Sequence, residues 1–264
     1  MRIVIDTRKT VEQNAASYFE HGKKLKKKLE GARRALEMAQ SRIAGLAEET
    51  VKEAKAPKEQ RKLEWYEKLR WFISSDGILC IGGRDSTTNE VVVKKHADKG
   101  DIVLHTDMAG APFVVVKAGV PEVPMTTIEE AGQFCAAYSR AWKLGLASVE
   151  VFYVTPDQLS KTPNPGEFLP KGAFVVRGQV KYVQPPVEIA IGKMPDGRVM
   201  AGAQSAVLKS CGRGYVLVPG NEKTSDVAKH LAQLLEADVD DLVPLIPAGG
   251  VKLGKEIKAR TASR

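Results

Sequence analysis

Residues 71–117 read WFISSDGILCIGGRDSTTNEVVVKKHADKGDIVLHTDMAGAPFVVVK, and this stretch decides the predicted fold. Its apolar runs at 78–81, 102–104 and 112–117 predict β-strands, because each run is short and the runs are separated by glycine-containing turns. A polar segment between the first two runs predicts a short helix. Strands and helices are therefore mixed without a strict βαβ alternation, which predicts an α+β fold.

Polar residues collect at the turns and strand ends of this stretch. The helix is predicted to begin at Thr88–Asn89 and to end near His96, because a hydroxyl or amide side chain can accept hydrogen bonds from the free amides of a first turn. A bend of two glycines before it presents Arg84 and Asp85, and the strand after it ends at His105. Such positions often carry functional sites, since the scaffold fixes the side chains while solvent still reaches them.

A series of motifs in this stretch and beyond it resembles the RNA-binding module of the NFACT family, whose members ride on split large ribosomal subunits during ribosome-associated quality control. In chain order, the motifs are WFISSDG, IGGRDSTTNE, KKH, GDIVLHTDMAGA, TIEEAG, YSRAW and SKTPNPGEFLPKGAFVVRG. They span roughly residues 60–183. The resemblance implies an RNA-binding protein. No phosphate-loop, serine-hydrolase or zinc-protease motif is present in the sequence, and we expect no catalytic residues and no cofactor.

The part of the chain before this module predicts a long helix. Apolar residues between positions 11 and 46 recur at four-three spacing. A 3.5-residue period sustained over several heptads predicts a coiled-coil seam, and Thr10 is placed to cap the helix. Trp65, Leu69 and Phe72 repeat the same spacing and predict a returning helix that covers the seam.

Two positions for the turn between these helices remain open. In the first, the chain turns between Gly45 and Pro57 into an antiparallel hairpin, and Pro57 lies in the first turn of the returning helix, where its missing amide costs nothing. In the second, Gly45 makes the turn and Pro57 only kinks the return. A late turn would leave the return too short to cover the seam, and a second chain would then complete it.

We predict three parts along the chain. Residues 1–72 form the coiled-coil helical arm, residues 73–186 the NFACT-like RNA-binding module, and residues 187–264 a small α/β C-terminal extension with a basic tail. In the NFACT family a coiled-coil segment precedes the module, and full-length members carry a further N-terminal domain. That domain has no counterpart here, so the resemblance implies that a separate protein could supply it.

The composition is that of an ordinary soluble globular protein, with 264 residues of which 43% are hydrophobic and 27% charged. No apolar run approaches the ~20 residues that cross a bilayer, and the N-terminus has no apolar region of the signal-peptide kind. Of three scattered cysteines, Cys80 and Cys135 are predicted to be buried free thiols in a reducing compartment. We therefore expect a cytoplasmic protein with no membrane partner.

The formal net charge of +8 is unevenly distributed. Seven cations and one anion lie at residues 23–34, and five cations and one anion lie at residues 252–264. Two basic ends indicate a polyanion partner, with RNA preferred because of the resemblance, although solubility or unstructured termini would also explain them. The arm residues predicted to contact RNA are Lys24, Lys27, Lys28 and Arg34.

Further RNA contacts are predicted in the module. Arg84 could bind a phosphate with Asp85 orienting it, or the two could form a local ion pair. The cations that close the short helix could bind RNA or only complement the helix dipole. Those of the later loop, which include Lys171, could form a basic face or a solvated edge. The module's predicted RNA-binding residues are Arg84, Lys94, Lys95, His96, His105, Lys161, Arg177 and Lys181.

Three hypotheses about function follow. The leading one is a non-enzymatic protein that binds ribosomal RNA or tRNA on the large ribosomal subunit, in quality control of stalled nascent chains. The second is an adaptor whose coiled coil docks a separate protein. The third is a metal-dependent hydrolase, because His105 and Asp107 project to one side of a strand end and could share a cation with His96. Spacing fixes no third ligand, and no metal is expected.

Local signals predict three further elements. Thr127 and Glu130 have the spacing of a capping box at the start of a helix. Residues 173–177 and 179–183 are predicted to pair as a hairpin. The glycine-rich basic segment 247–264 is predicted to be mobile unless bound.

Overall fold

In the computed structural model of the chain, the described residues are 4–50, 63–119, 122–163, 166 and 169–259, without the side chains of 42–50. The chain divides into two compact units, Met1–Lys62 and Leu63–Arg264. Within the described ranges, no helix is long and apolar enough to cross a membrane.

The first unit consists mainly of one long helix, α1, at Val11–Thr50. Thr10 caps it as predicted: Thr10 Oγ1 accepts from the amide of Gln13 at 3.2 Å, and Gln13 Oε1 accepts from the amide of Thr10 at 3.1 Å. Because α1 continues through Gly45, the alternative with a turn at that residue is wrong. Pro57 and the other turn lie outside the described residues.

The predicted returning helix is wrong where the structure describes it. Residues Trp65–Lys68 form one 3-10 turn, and Arg70–Ile73 form strand β1. Leu69, Trp71 and Phe72 are buried in the core of the second unit instead of covering a coiled-coil seam. Residues 63–72, the end of the predicted arm, therefore belong to the second unit. The division of the chain into three parts stays a prediction.

Most strands of the predicted module form one six-stranded antiparallel sheet. Its strands are β1 (Arg70–Ile73), β2 (Leu79–Gly82), β3 (Ile102–His105), β4 (Val114–Val116), β5 (Val151–Val154) and β8 (Lys181–Val183). They are ordered β1-β2-β4-β3-β5-β8. Two short strands, β6 (Leu159–Ser160) and β7 (Val175–Val176), pair separately. The predicted hairpin at 173–183 is therefore wrong, because β7 pairs with β6 and β8 pairs with β5.

Three helices accompany this sheet: α2 (Ser86–His96), α3 (Met125–Ala137) and α4 (Arg140–Leu144). Asp85, rather than Thr88 or Asn89, caps α2, since its carboxylate accepts from the amide of Thr88 at 2.8 Å. Thr127 does not cap α3. It lies inside that helix, where its hydroxyl is 2.9 Å from Ser74 Oγ and 2.8 Å from an Asp76 carboxylate oxygen.

The predicted C-terminal extension builds a second antiparallel sheet, with strands β9 (Ile189–Lys193), β10 (Val199–Gly202), β11 (Arg213–Glu222) and β12 (Val251–Lys258). Their order is β10-β9-β11-β12. Its helices are α5 (Gln204–Cys211), α6 (Thr224–Leu235) and α7 (Val239–Leu242). The prediction of a mobile tail is wrong for residues 251–258, which form β12.

The two sheets share one hydrophobic core. Phe72 of β1 is fully buried and packs against Gly202 of β10. A Cβ added to Gly202 would lie 3.2 Å from the ring of Phe72. Met200, also fully buried, accepts from the amide of Ile73 at 3.3 Å through its sulfur. Cys80, on neighbouring β2, is a buried free thiol as predicted. Mixed helices and antiparallel sheets confirm the α+β class.

Candidate nucleic-acid interface

An open cleft of about 630 Å³ lies at the ends of the central strands β2, β4, β3 and β5 of the six-stranded sheet. Three segments form most of its lining: the turn and first residues of α2 at 83–89, the end of β3 and the loop after it at 105–113, and the loop into β7 at 170–176. Arg70 of β1 and Phe152 of β5 complete the lining. We call this cleft the α2 cleft. Two of the three segments belong to the stretch from which the fold was predicted, and the third follows about 60 residues later along the chain.

Asn89 holds the first two segments together. Its Nδ2 donates to the carbonyl of Ala111 at 3.2 Å, and its Oδ1 accepts from the amide of Phe113 at 3.0 Å. The side chain is 9% exposed. Gly83 packs directly against it, since a Cβ on Gly83 would lie 2.0 Å from Asn89 Oδ1. The glycine in the bend is therefore required by close packing.

Glu90 holds the third segment against α2. Its carboxylate accepts from Lys161 Nζ at 2.6 Å, from Lys94 Nζ at 3.0 Å and from the amide of Gly172 at 3.0 Å. The hydrogen bond from Lys161, followed by those from Gly172 and Lys94, lowers the pKa of Glu90 to about 2. Gly172 adopts φ +85°, and a Cβ there would lie 2.7 Å from Ser86 Cα, so this contact also favours glycine.

We expect Glu90→Gln to lower the melting temperature at pH 7 and to loosen the loop at 170–176. A group whose folded-state pKa lies below its unfolded value stabilises the fold above the unfolded pKa and loses that effect as the pH falls through the folded pKa. For Glu90 this window runs from 4.5 down to about 2. The difference between wild type and Glu90→Gln should therefore shrink from pH 5 to pH 2.5 in thermal unfolding followed by circular dichroism.

The control for this experiment is Glu129→Gln, which removes the charge of an exposed glutamate on α3. It should change the melting temperature little at either pH. A difference for Glu90→Gln that stays constant from pH 7 to pH 2.5 would contradict the anchoring role of this carboxylate.

Aromatic rings form the apolar part of the α2 cleft. His105 stacks on Phe113 with ring centroids 3.9 Å apart and an interplanar angle of 3°, and Phe174 meets Phe113 edge-on at 5.2 Å. Phe152 contacts His105 edge-on at 5.9 Å. Phe113 is almost fully buried, whereas His105 and Phe174 remain partly exposed. Lys161 Nζ lies 4.3 Å above the ring of Phe174 and fixes that side chain.

The hydrogen bond of His105 determines which of its nitrogens carries the proton. Its Nδ1 lies 3.0 Å from the carbonyl oxygen of Pro112, which only accepts, so Nδ1 is the donor. Burial lowers the pKa of His105 below its ordinary value. The ring is therefore neutral at physiological pH, and Nε2 is an acceptor.

Three cations and two carboxylates line the α2 cleft. Arg84 is exposed and donates from Nη2 to the carbonyl oxygens of Leu69 at 3.2 Å and Glu67 at 3.4 Å. The hypothesis that Asp85 orients Arg84 is wrong, since Asp85 caps α2. Hydrogen bonds from Thr88 are the main cause of the lowered pKa of Asp85, and nearby Lys171 contributes. The lining charges are those of Arg70, Arg84, Lys171, Asp85 and Asp107.

The remaining predicted RNA-binding residues lie outside this cleft. Lys94 and Lys161 each form an ion pair with Glu90, and Lys95 is exposed at the end of α2. Arg177 donates to the carbonyl of Thr162 at 3.4 Å, and Lys181 lies 6.0 Å from the ring centroid of Tyr153. The four arm residues are exposed on α1 in the other unit; they are Lys24, Lys27, Lys28 and Arg34. Of the predicted set, the structure brings Arg84 and His105 into the cleft, and an RNA role for any of these residues stays a prediction.

The residues of the hypothetical metal site have other contacts. His96 stacks on Trp65 with centroids 4.6 Å apart, and burial, with help from Lys117 and Lys95, lowers its pKa. His105 is hydrogen bonded to Pro112. In the described part of the chain, no group of three or more histidine, cysteine, aspartate or glutamate side chains could hold a metal ion. The hydrolase hypothesis gains no support from this geometry.

A comparison with protein families finds one whose sequence model matches the part of the chain that forms the α2 cleft. The model of the NFACT protein RNA binding domain matches residues 68–178, a range that includes all three segments of the α2 cleft. A solved structure, the C-terminal part of the fibronectin/fibrinogen-binding protein from Streptococcus suis, covers 67% of this chain and 76% of its own with 21% identity and a TM-score of 0.38.

Curated relatives are more similar in sequence. The archaeal Rqc2 homolog aRqcH of Methanocaldococcus jannaschii is 37% identical over 204 residues, which is 75% of this chain and 30% of that protein. The human ribosome quality control complex subunit NEMF is 37% identical over 177 residues, or 65% of this chain and 16% of NEMF. The chain thus spans less than a third of the length of these relatives.

Proposed function

This chain is a member of the NFACT family that carries the family's RNA-binding module, and we propose that it binds ribosomal RNA or tRNA on the large ribosomal subunit during quality control of stalled nascent chains. The observation that carries the proposal is the match of the RNA-binding domain over residues 68–178. Relatives named as ribosome quality control complex subunits support the process. A role on ribosomes implies that the protein works in the cytoplasm.

The arm supplies the electrostatic part of the proposed interaction. Its predicted contact residues are exposed on α1, inside a segment of residues 23–34 that holds seven cations and one anion. At about 1.5 Å per residue, these charges lie along roughly 18 Å of helix. A row of exposed cations on a rigid element neutralises phosphates and releases their counterions, which is the main source of sequence-independent affinity for nucleic acids.

We propose a binding role rather than a catalytic one. Three of the polar groups around the α2 cleft hold its walls: Asp85 caps α2, Asn89 bridges two segments, and Glu90 is salt-bridged. With a pKa of about 2, Glu90 is a poor general base at neutral pH. These contacts support a preformed surface for recognition.

The proposal is tested by the salt dependence of RNA binding. We expect the full chain to bind tRNA or a ribosomal RNA fragment in fluorescence anisotropy. With four or more phosphate contacts, the affinity should fall roughly 50-fold or more between 50 and 200 mM salt. Absence of binding at 50 mM salt, or an affinity that does not change with salt, would contradict the proposal.

A protein-docking role is the second candidate, because part of the seam of α1 is exposed. Leu25, Leu29 and Leu36 are 52%, 56% and 60% exposed. An apolar stripe of this kind supports an adaptor that docks a separate protein, such as one carrying the N-terminal domain. A stoichiometric protein partner that remains bound after nuclease treatment would favour this candidate, and its loss with the RNA would count against it.

A further inference from the structure

We propose that the α2 cleft binds a single unpaired RNA nucleotide, with its base against His105 and Phe174 and its phosphate against Arg84 and Lys171. The inference rests on the proposed function and narrows it, from RNA in general to an unpaired nucleotide at one defined site. Four properties of the cleft carry it: size, aromatic lining, charge balance and hydrogen-bonding groups.

The size of the cleft suits a small polar ligand. Its volume of about 630 Å³ lies in the range of roughly 300–1,000 Å³ that is usual for small-molecule sites. Its walls are fixed before any ligand arrives, by Asn89 on one side and by Glu90 on the other. Because a preformed site does not need to be ordered on binding, even one nucleotide can contribute measurable affinity.

The aromatic lining suits a base. Phe113 and His105 already form a parallel stack at 3.9 Å, and a base placed on His105 would extend that stack by one ring. Phe174, partly exposed and held beneath Lys161, offers a second ring. Proteins that read single-stranded RNA splay bases out of the helix and stack them on aromatic side chains, histidine included.

The charge balance suits one phosphate rather than a run of them. The three cations and two carboxylates of the cleft leave a net formal charge of +1, which balances the single negative charge of one phosphodiester. Arg84 uses Nη2 for the carbonyls of Glu67 and Leu69, so its position is fixed while its other N–H groups can donate. Lys171 is exposed on the third segment, which packs against the first turn of α2 through Gly172, and it is close enough to Asp85, the neighbour of Arg84, to lower the pKa of Asp85. A duplex backbone, by contrast, would bring further phosphates towards Asp85 and Asp107.

His105 adds an acceptor to this set of donors. Its Nδ1–H is committed to the Pro112 carbonyl, so the neutral ring presents Nε2 as a lone pair. A ribose 2′-hydroxyl or an exocyclic amine of a base can donate to such an atom. The cleft therefore offers stacking surfaces, phosphate donors and an acceptor, which are the groups that one ribonucleotide requires.

The test compares unpaired with paired RNA on the full chain. We expect Phe174→Ala to weaken the binding of a ten-nucleotide single-stranded RNA about tenfold, in keeping with the contribution of one stacked base. Binding of a blunt duplex of the same length should change less than about twofold, because the arm serves both RNAs. Tyr182→Ala is the matched control, since Tyr182 is an exposed aromatic on β8 outside the cleft. It should leave both affinities unchanged.

A second variant keeps the proposal testable if Phe174→Ala does not fold. Lys171 is exposed, so Lys171→Glu should fold and should lower the single-strand to duplex affinity ratio about tenfold, while Lys171→Arg should preserve it. An unchanged ratio, or equal losses on both RNAs, would overturn the inference and leave the proposed function standing. A wild-type chain that bound tRNA but not the single strand would also overturn the inference, whereas failure to bind both tRNA and a ribosomal RNA fragment would refute the proposed function itself.

Discussion

Substituting Gly83 by alanine is expected to destabilise the globular unit by about 3 kcal/mol, the upper end of the usual cost of overpacking. The added Cβ would lie 2.0 Å from Asn89 Oδ1, 2.7 Å from the Asn89 amide nitrogen and 2.8 Å from its Cα. Two of these atoms belong to the backbone of α2, so a rotamer change cannot relieve the clash. The melting temperature should fall by roughly 6–12 °C, measured by calorimetry or circular dichroism.

Gly119→Ala is the matched control for this substitution. A Cβ on Gly119 meets no atom within 4 Å, and its φ angle is not positive. It should change the melting temperature by less than about 2 °C, since surface substitutions away from special features are nearly neutral. If Gly83→Ala proved as stable as this control, the close packing of the bend on α2, and with it the preformed wall of the cleft, would be refuted.

The bend at Gly83 shows which parts of the site local patterns predict. The two glycines and the polar residues after them indicated a turn that leads into a helix. The turn and the helix both lie in the predicted part of the chain. The cap was misassigned, because Asp85 is as good a cap as Thr88 and the sequence does not show which residue first leaves helical geometry. Arg84 and His105, which the structure places in the cleft, were predicted as site residues because Arg84 follows a strand and its glycine bend and His105 ends the next strand.

The other wall of the cleft could not be predicted in the same way. Gly172 and Glu90 are hydrogen bonded across 82 positions of the chain, and nothing local indicates that contact. The hairpin expected at 173–183 failed for the same reason. Gly178 does turn the chain, with φ +81°, but the strands on either side of it pair with partners earlier in the sequence.

Short apolar patterns were ambiguous at both ends of the globular unit. Trp65, Leu69 and Phe72 fit a helical period, but a window of eight residues fits a 3-10 turn followed by a strand equally well. The glycines of the C-terminal segment suggested mobility, whereas they allow close approach of strands. A Cβ on Gly254 would lie 2.9 Å from the carbonyl oxygen of Val216, across the β11–β12 pair.

Reversing the charge of the four predicted arm contacts is expected to weaken RNA binding about 100-fold or more at 0.1 M salt. The slope of the logarithm of the binding constant against the logarithm of the salt concentration should become shallower by about four. At 3.6 residues per turn, these four side chains fall within an arc of roughly 120°, separate from the arc of Leu25, Leu29 and Leu36. The substitutions should therefore remove phosphate contacts without touching the seam. They are Lys24→Glu, Lys27→Glu, Lys28→Glu and Arg34→Glu.

Total charge and local charge are separated by a matched control. Four reversals lower the formal net charge from +8 to zero wherever they are made, so a second variant reverses four exposed lysines of the globular unit that do not line the α2 cleft. These are Lys143, Lys209, Lys229 and Lys255. If affinity follows the net charge alone, the two variants will bind RNA equally weakly, and the arm will have no special role. If the arm contacts phosphates, the affinity of the control variant for RNA should fall less than about fivefold. Fluorescence anisotropy at several salt concentrations distinguishes the two results.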